Sequence, residues 1–317
     1  MGKYGDVLAL TQSEVERLLP APAYIDLIEQ AFAAYARGET LPSRLAHLDS
    51  PPGEFHIKAS GLGGVVAVKI GACFYDRPAT LGLPSIAGVI ALFDGSNGEP
   101  LLILESATVT RLRTAAATAV AVRHLALPQA ATLAVLGTGA QAADHIAAIR
   151  AVRPIERVIV WGRDRAKTER FAAEHRAEAA REPGQAAGQA DVVVTLTPAT
   201  TPYLGLRDVR PGTLVAAVGS DAPGKRELHD DLLAGAALVT DVTHQCAEVG
   251  ELHHRPGTPV RSELGDVVLG AVKGRQSAEE IVVFDSTGTA VQDVAAAQAL
   301  YAAALADGAG RPLPLWD

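Results

Sequence analysis

Residues 132–142 read TLAVLGTGAQA, and this stretch decides the fold of the surrounding chain. A strand-like apolar run passes directly into Gly137-x-Gly139-x-x-Ala142, and helix-forming residues begin there. Gly137 permits a tight turn, Gly139 lets the backbone approach a pyrophosphate, and Ala142 lets helix and strand pack closely. A glycine-rich turn between strand and helix is typical of dinucleotide binding, whereas a purely structural turn is the alternative.

Strands and helices alternate from this turn onward. Apolar runs of strand length recur with helical stretches between most of them, at 132–137, 157–162, 191–196, 213–219, 238–241 and 281–286. This β-α-β-α order predicts an α/β fold with a parallel, doubly wound sheet.

The chain before the turn has a different pattern. Residues 12–37 show helical spacing of apolar positions with a Pro-Ala-Pro break, and four strand-like runs lie between residues 55 and 105. The turn at 94–98 predicts a hairpin, and residues 107–125 predict a long helix. An Ala-rich helix at 289–306 closes the chain, and we expect it to return to the first domain.

Composition narrows the class of protein. The chain has 317 residues, 48% apolar and 20% charged, with a net charge of −8, which favours two globular domains and disfavours a nucleic-acid partner. No apolar run reaches the ~18 residues of a membrane span, and residues 1–19 lack the features of a secretory signal. Cys73 and Cys246 form no CxxC pair, so neither a disulfide framework nor a zinc ribbon is expected. A cytoplasmic protein is the expectation.

Several charged residues stand in apolar surroundings. Lys69 interrupts the strand-like run VVAVKIG, where a buried lysine needs a partner or a lowered pKa, unless it reaches solvent from an edge strand. Asp221 follows the strand at 213–219, where doubly wound sheets bind ligands, but it also suits a turn. Arg113, on the long helix, and Arg44, just ahead of the first predicted strand, could each grip a carboxylate or form a surface ion pair.

Histidines give weaker signals. His56 and Lys58 alternate in FHIKAS and therefore share one face of a strand, which is either a site or a solvated face. His253 and His254 are adjacent and point apart, with no further ligand at a suitable spacing, so we expect no metal site.

The second strand of the alternating region ends in Trp161-Gly162-Arg163-Asp164. An acid at this strand end binds the ribose of NAD, whereas an arginine accommodates the 2′-phosphate of NADP. Because Arg163 comes first and Arg165 and Lys167 follow, the sequence favours NADP(H), with NAD(H) possible. The alternative is a solvated helix start with Asp164 as its N-cap.

Seven segments together resemble the ornithine cyclodeaminase/mu-crystallin family across nearly the whole chain. They are VKIGACF, GLPSIAGVIALFDGSNGEPLLILE, VTRLRTAAATAVAVRHLA, LAVLGTGAQA, DVVVTLTPATTP, VGSDAPGKRELHDDLL and FDSTGTAVQDV, in that order.

The resemblance implies a Rossmann-type NAD(P)-binding domain at 114–288. It also implies a discontinuous α+β substrate-binding and dimerisation domain at 1–113 and 289–317, and hence a homodimer. Lys69 and Asp221 stand at the family's catalytic positions, and Arg44, His56, Lys69 and Arg113 are the expected substrate-binding residues. The expected cofactor-binding residues are Gly137, Thr138, Gly139, Ala140, Gln141, Trp161, Arg163, Asp164, Thr197, Val218, Gly219 and Ser286.

One departure from the family pattern bears on the substrate. Ornithine cyclodeaminases place an acid in the strand that here reads FHIK, and the cations His56 and Lys58 would repel an ornithinium side chain. The leading hypothesis is therefore NAD(P)H-dependent reduction of a small cyclic imino acid such as Δ1-pyrroline-2-carboxylate to proline. The alternatives are an alanine-type dehydrogenase, an ornithine cyclodeaminase, and a protein of mu-crystallin type that binds NADPH and a small ligand.

Overall fold

A computed structural model describes residues 6–315 and divides the chain into two compact units. The first unit runs to Arg113 and resumes at Thr289, and the second is Thr114–Gly288. No helix in the described part of the chain is both long and apolar enough to span a bilayer.

The first unit begins with a short strand, two helices and a run of antiparallel strands. Its elements are β1 (Val7–Leu10), α1 (Gln12–Leu18), α2 (Ala21–Ala36), β2 (Arg44–Ser50), β3 (Gly53–Leu62), β4 (Val65–Cys73), α3 (Arg77–Leu81), β5 (Ile86–Asp94), β6 (Pro100–Glu105) and the first part of α4 (Ser106–Leu125), whose residues from Thr114 onward belong to the second unit. Strands β2 to β6 pair antiparallel in sequence order, and the predicted hairpin at 94–98 joins β5 to β6. The break between α1 and α2 falls at Pro20, which is the N-cap of α2.

Strand β2 corrects the sequence analysis, which placed Arg44 ahead of the first strand of this sheet. Arg44 is instead the first residue of β2, which pairs with β3 from Arg44↔Ala59 to Ser50↔Gly53. The residues of β2, RLAHLDS, contain no apolar run because this strand is mostly exposed, so local pattern does not mark it.

The second unit contains the predicted parallel sheet. Its elements are β7 (Thr132–Leu136), α5 (Ala142–Val152), β8 (Arg157–Trp161), α6 (Arg165–His175), β9 (Glu178–Ala179), α7 (Pro183–Ala187), β10 (Val192–Thr195), β11 (Leu214–Ala217), α8 (Asp230–Gly235), β12 (Ala237–Thr240), α9 (Thr243–Val249), β13 (Val260–Glu263), α10 (Leu264–Val268) and β14 (Val282–Asp285). The strand order is β13-β12-β14-β11-β10-β7-β8-β9 and every pair is parallel. The fully buried runs of β10 and β11 are typical of a sheet with helices on both faces.

The chain then returns to the first unit through α11 (Ala290–Asp307) and β15 (Arg311–Leu313). Strand β15 pairs with β1, and β1 pairs parallel with β6, so that the seven strands run β15-β1-β6-β5-β4-β3-β2. Helix α11 packs on β3 and β4 and against α2.

The first sheet has two unlike faces because side chains alternate along each strand. Lys58, Lys69 and Ile90 are register partners in neighbouring strands and are all buried, on the face that α11 covers. On the other face, Ile70 and Val89 are register partners and both are exposed. We call this second side, which also carries Leu48 and Ile57, the outer face.

Candidate active site

A buried ion cluster lies where α4, α11 and β4 meet in the first unit. Asp293 on α11 accepts Lys69 Nζ at 2.7 Å on Oδ2 and Arg113 Nε at 3.1 Å on Oδ1. Arg113 also donates through Nη1 to the Oε1 of Gln292 at 3.0 Å, and Lys69 Nζ donates to the hydroxyl of Thr110 at 3.4 Å. The structure therefore brings together Lys69 and Arg113, which are 44 residues apart in the sequence.

Burial and charge set the protonation of this cluster. Burial lowers the pKa of Lys69 to about 7, although the Asp293 carboxylate favours its charged form. Burial alone would raise the pKa of Asp293, but the charges of Lys69 and Arg113 outweigh it and hold that pKa below its ordinary value. Asp293 is thus ionised at neutral pH, and Lys69 loses its proton more readily than an ordinary lysine.

A third cation, Lys58, adds to the positive charge. It is the register partner of Lys69, it is buried, and its charge acts on both Lys69 and Asp293. Three basic side chains therefore act on the carboxylate of Asp293. A low-dielectric site with excess positive charge attracts an anion such as a substrate carboxylate.

The sequence analysis missed Asp293 and Gln292. Both are buried in the first turns of α11, in the Ala-rich stretch AVQDVAAAQAL. The available signal was the one that singled out Lys69: an ionisable residue within an otherwise apolar, buried pattern.

His56 and Arg44 differ in their relation to this cluster. His56 lies on the same face of β3 as Lys58, and its Nε2 is 3.1 Å from Glu54 Oε1, an acid two residues along the strand that the sequence analysis also missed. Arg44 is exposed and pairs with Ala59, so its register position belongs to the opposite face from Lys69. Within the unit the structure does not bring Arg44 to Lys69.

The glycine-rich turn of the second unit has the geometry that a pyrophosphate needs. Gly137 follows β7 at φ +124°, and a Cβ there would lie 2.8 Å from the carbonyl oxygen of Leu196, so the fold itself demands glycine. A Cβ on Gly139, in contrast, would meet no atom within 4 Å. Helix α5 then starts at Ala142 with no side-chain cap from Gln141, which leaves first-turn N–H groups for an anion. Residues 137–141 could therefore hold a dinucleotide phosphate.

The end of β8 bears on the choice of nucleotide. Asp164 is the N-cap of α6 and accepts from Lys167 N at 2.9 Å, which is the capping role considered above. Arg163 beside it is exposed, and Trp161 at the strand end packs near Tyr203, with ring centroids 5.4 Å apart. The carboxylate of Asp164 is thus engaged in the helix cap, as in the alternative given in the sequence analysis, and Arg163 is exposed beside it.

Buried acids hold the ends of the parallel strands in place. Glu227 accepts from the N–H and hydroxyl of Thr197, both at 2.7 Å, and from Gly219 N at 2.9 Å, next to Val218. Asp241 accepts from Thr287 N and the hydroxyl of Ser286. Sequence reasoning missed Glu227 because its partners Thr197 and Gly219 lie up to 30 residues away, just after β10 and β11.

Asp221 lies in the loop after β11, in the second unit. Its Oδ1 accepts Lys225 Nζ at 2.6 Å, and the loop is closed by the Ser220 hydroxyl on the Lys225 carbonyl at 2.8 Å. Its carboxylate is about two-fifths exposed, so it remains accessible to a ligand despite this partner.

The second unit has a nucleotide-type turn after a parallel strand, and the first has a buried cationic cluster that suits a small carboxylate. These are features of NAD(P)-dependent oxidoreductases that act on amino and imino acids. The chain belongs to the ornithine cyclodeaminase/mu-crystallin family, whose model matches residues 6–308. The resemblance drawn from the sequence is thereby confirmed.

Relatives of known activity cover most of the chain. The Δ1-pyrroline-2-carboxylate reductase of Bacillus cereus is 36% identical over 247 residues, which cover 74% of this chain and 76% of that protein. An archaeal alanine dehydrogenase dimer with bound NAD has 32% identity and a TM-score of 0.93, covering 98% of this chain and 100% of that one. The Thermococcus litoralis Δ1-pyrroline-2-carboxylate reductase with NADH and L-proline has 27% identity and a TM-score of 0.91, covering 97% and 100%.

Proposed function

We propose that this protein reduces a small cyclic α-imino acid of the Δ1-pyrroline-2-carboxylate type to the corresponding amino acid. The observation that carries the proposal is the cluster of Lys58, Lys69 and Arg113 about Asp293, which offers a buried site of excess positive charge to a carboxylate. The similarity to two Δ1-pyrroline-2-carboxylate reductases supports this choice of substrate.

The residues of the first unit would bind and orient the substrate. Arg113 would hold the carboxylate, because its guanidinium is fixed by Asp293 and Gln292 and loses little freedom on binding. Lys69, with its pKa near 7, can give or take a proton at neutral pH. His56 would line the same face, while Arg44 remains a proposed substrate residue from the resemblance alone.

The residues of the second unit would bind the cofactor and manage a proton. NAD(P)H, when bound, supplies the hydride that reduces the C=N carbon. The turn at 137–141 would hold its phosphates, Trp161, Arg163 and Asp164 its adenosine end, and Thr197, Val218, Gly219 and Ser286 the remainder. Asp221 would stabilise the iminium form of the substrate or manage the proton on its nitrogen. We further propose NADP(H) as the preferred cofactor, because Arg163 is exposed at the end of β8, where an arginine accommodates the 2′-phosphate.

The first experiment compares substrates and cofactors directly. NADPH consumption is measured with Δ1-pyrroline-2-carboxylate and with pyruvate, each with and without ammonium, and repeated with NADH. We expect turnover of the cyclic imine without ammonium, and faster with NADPH. Turnover of pyruvate that requires ammonium would instead establish an alanine-type dehydrogenase, the second candidate, which the similarity to the archaeal alanine dehydrogenase supports.

The role of Asp221 is tested by Asp221→Ala. We expect turnover to fall by roughly 100-fold or more, the size of a lost general acid–base group, with NADPH binding retained. Asp230→Ala removes an exposed carboxylate nine residues away and is the matched control. Unchanged turnover in Asp221→Ala would remove this residue from the mechanism.

We also infer that two copies associate through the outer face of the first sheet. The row Ala46, Ile57, Ile70 and Val89 is apolar across four strands, and Leu48 extends it. A contiguous exposed apolar row of this kind marks a protein–protein interface, and the similar archaeal alanine dehydrogenase is described as a dimer.

A further inference from the structure

Four side chains with metal-binding atoms lie together on the β2–β3 hairpin. His47 and His56 are register partners, and Asp49 and Glu54 form the next pair on the same face. All four therefore project from alternate positions of one hairpin. A site on paired strands is held more precisely than one on a loop.

The distances between the donor atoms suit a single ion. Glu54 Oε2 lies 3.2 Å from His47 Nε2, and Glu54 Oε1 lies 3.1 Å from His56 Nε2. One ligand atom from each of the three residues lies within 4.8 Å of the others. Bonds of 2.0–2.2 Å in a tetrahedral zinc site separate neighbouring ligand atoms by about 3.3 Å. With one ligand atom from each residue the separations are up to 4.8 Å, and rotation of the side chains would close the remaining gap to that spacing.

Burial is graded across the cluster. Exposed fractions of the side chains are 12% for His56, 19% for Glu54 and 33% for His47, so the ligands are partly dehydrated but reachable from solvent. Beside His56 in the same row is Gly71, where a Cβ would meet only the His56 carbonyl oxygen, at 3.9 Å. This lack of a side chain leaves space next to the imidazole. Asp49 Oδ1 lies 3.2 Å from His47 Nε2, within reach of a fourth position.

We propose that His47, Glu54 and His56 bind one divalent transition-metal ion of the Zn²⁺ type, with Asp49 or water as the fourth ligand. Imidazole and carboxylate together suit Zn²⁺ and its neighbours better than Mg²⁺ or Ca²⁺, which prefer oxygen ligands alone. The two imidazoles also pack edge to face, with ring centroids 4.7 Å apart, which keeps both ligands on the same side of the hairpin. The proposed metal site consists of residues of the hairpin alone, and His56 is the one residue that it shares with the substrate site proposed above.

The competing explanation is an ion pair in which Glu54 binds protonated histidine. Acid would strengthen such an ion pair, because it protonates the imidazole, but it should weaken the binding of a metal ion. Because imidazole binds a metal only when neutral, metal affinity should fall as the pH is lowered, with protons released on binding.

The test is a zinc titration of untagged, chelator-treated protein in competition with a chromophoric chelator. We expect one Zn²⁺ per chain, and loss of affinity in His47→Gln and His56→Gln beyond the roughly 10–100-fold caused by changes outside the ligand sphere. His253→Gln is the matched control, because His253 is an exposed histidine of the second unit and should bind Zn²⁺ as the parent does. Circular dichroism confirms that each variant is folded.

A second measurement needs no variant. Co²⁺ added to the parent protein should give the intense visible absorption of a four-coordinate site, and Zn²⁺ should displace it. No stoichiometric binding, binding unchanged in His47→Gln, or weak absorption typical of six-coordinate Co²⁺ would each overturn the proposal.

Discussion

The carboxylate of Asp293 pairs with two buried cations, Lys69 and Arg113. Its replacement would leave both cations buried without this partner. We expect Asp293→Asn to lower the free energy of unfolding by about 3–5 kcal/mol, the cost of breaking a buried pair. Asp307→Asn on the same helix is the control. Its ion pair with Arg17 is half exposed on both sides, and we expect a loss below about 1 kcal/mol. Urea unfolding measures both, and equal losses would show that the cluster does not stabilise the unit.

The lowered pKa of Lys69 makes a prediction about pH. The folded protein holds this proton with a pKa of about 7, against 10.5 for an ordinary lysine. Between these values the unfolded chain binds more protons, so the contribution of Lys69 to stability rises with pH across that window. The stability of the parent relative to Lys69→Met should therefore increase from pH 7 to pH 10, by at most about 1.4 kcal/mol per pH unit.

Lys167→Met supplies the comparison for this measurement. Lys167 is exposed on α6, so the stability difference between parent and variant should stay flat over the same pH range. A flat difference for Lys69→Met as well would mean that Lys69 keeps its proton throughout and cannot relay one near neutral pH.

At the scale of elements, the turn between β7 and α5 contains two glycines that are required for different reasons. Gly137 is required by the fold, and Gly139 by the cofactor. We expect Gly137→Ala to destabilise the protein by about 1–3 kcal/mol, because its φ of +124° and the Leu196 carbonyl 2.8 Å away exclude a Cβ. Gly139→Ala should change stability by less than about 0.5 kcal/mol, since its Cβ meets nothing within 4 Å.

In cofactor binding we expect Gly139→Ala, which hardly affects stability, to have a large effect. The Cβ of Gly139→Ala would occupy the space that a pyrophosphate needs, so the Kd for NADPH should rise about tenfold or more. Fluorescence titration measures this on the folded variant. Undiminished binding by Gly139→Ala would place the phosphates elsewhere.

Local pattern was enough to predict the elements that carry their own signal. Six of the eight parallel strands, the hairpin at 94–98 and the long helix predicted at 107–125 follow from periodicity and turn chemistry, whereas the short edge strands β9 and β13 were missed. Strand β2 could not be predicted this way, because an exposed edge strand has no apolar run and is defined by its pairing with β3. Lys69 was found by its apolar surroundings, but its partner Asp293 is 224 residues away, and only the folded chain joins them.

At the scale of the whole molecule, the outer face predicts the assembly. Ile70→Lys would place two lysines in a twofold interface, so we expect the dimer Kd to rise by about 100-fold or more. Leu269→Lys is the matched control, because Leu269 and Ile70 are both 42% exposed. Sedimentation velocity distinguishes the outcomes. If Leu269→Lys dissociates the dimer and Ile70→Lys does not, the interface lies on the second unit instead.

Because α11 follows the second unit in the sequence, the first unit is the last to be completed during synthesis. The ribosome releases Lys69 and Arg113 long before Asp293, because all of residues 114–288 are made in between. A nascent chain therefore has its second unit ready to fold while the first still lacks the helix that covers its sheet and neutralises its lysine. A premature stop anywhere before residue 289 would leave this first unit open, with its cationic face in water.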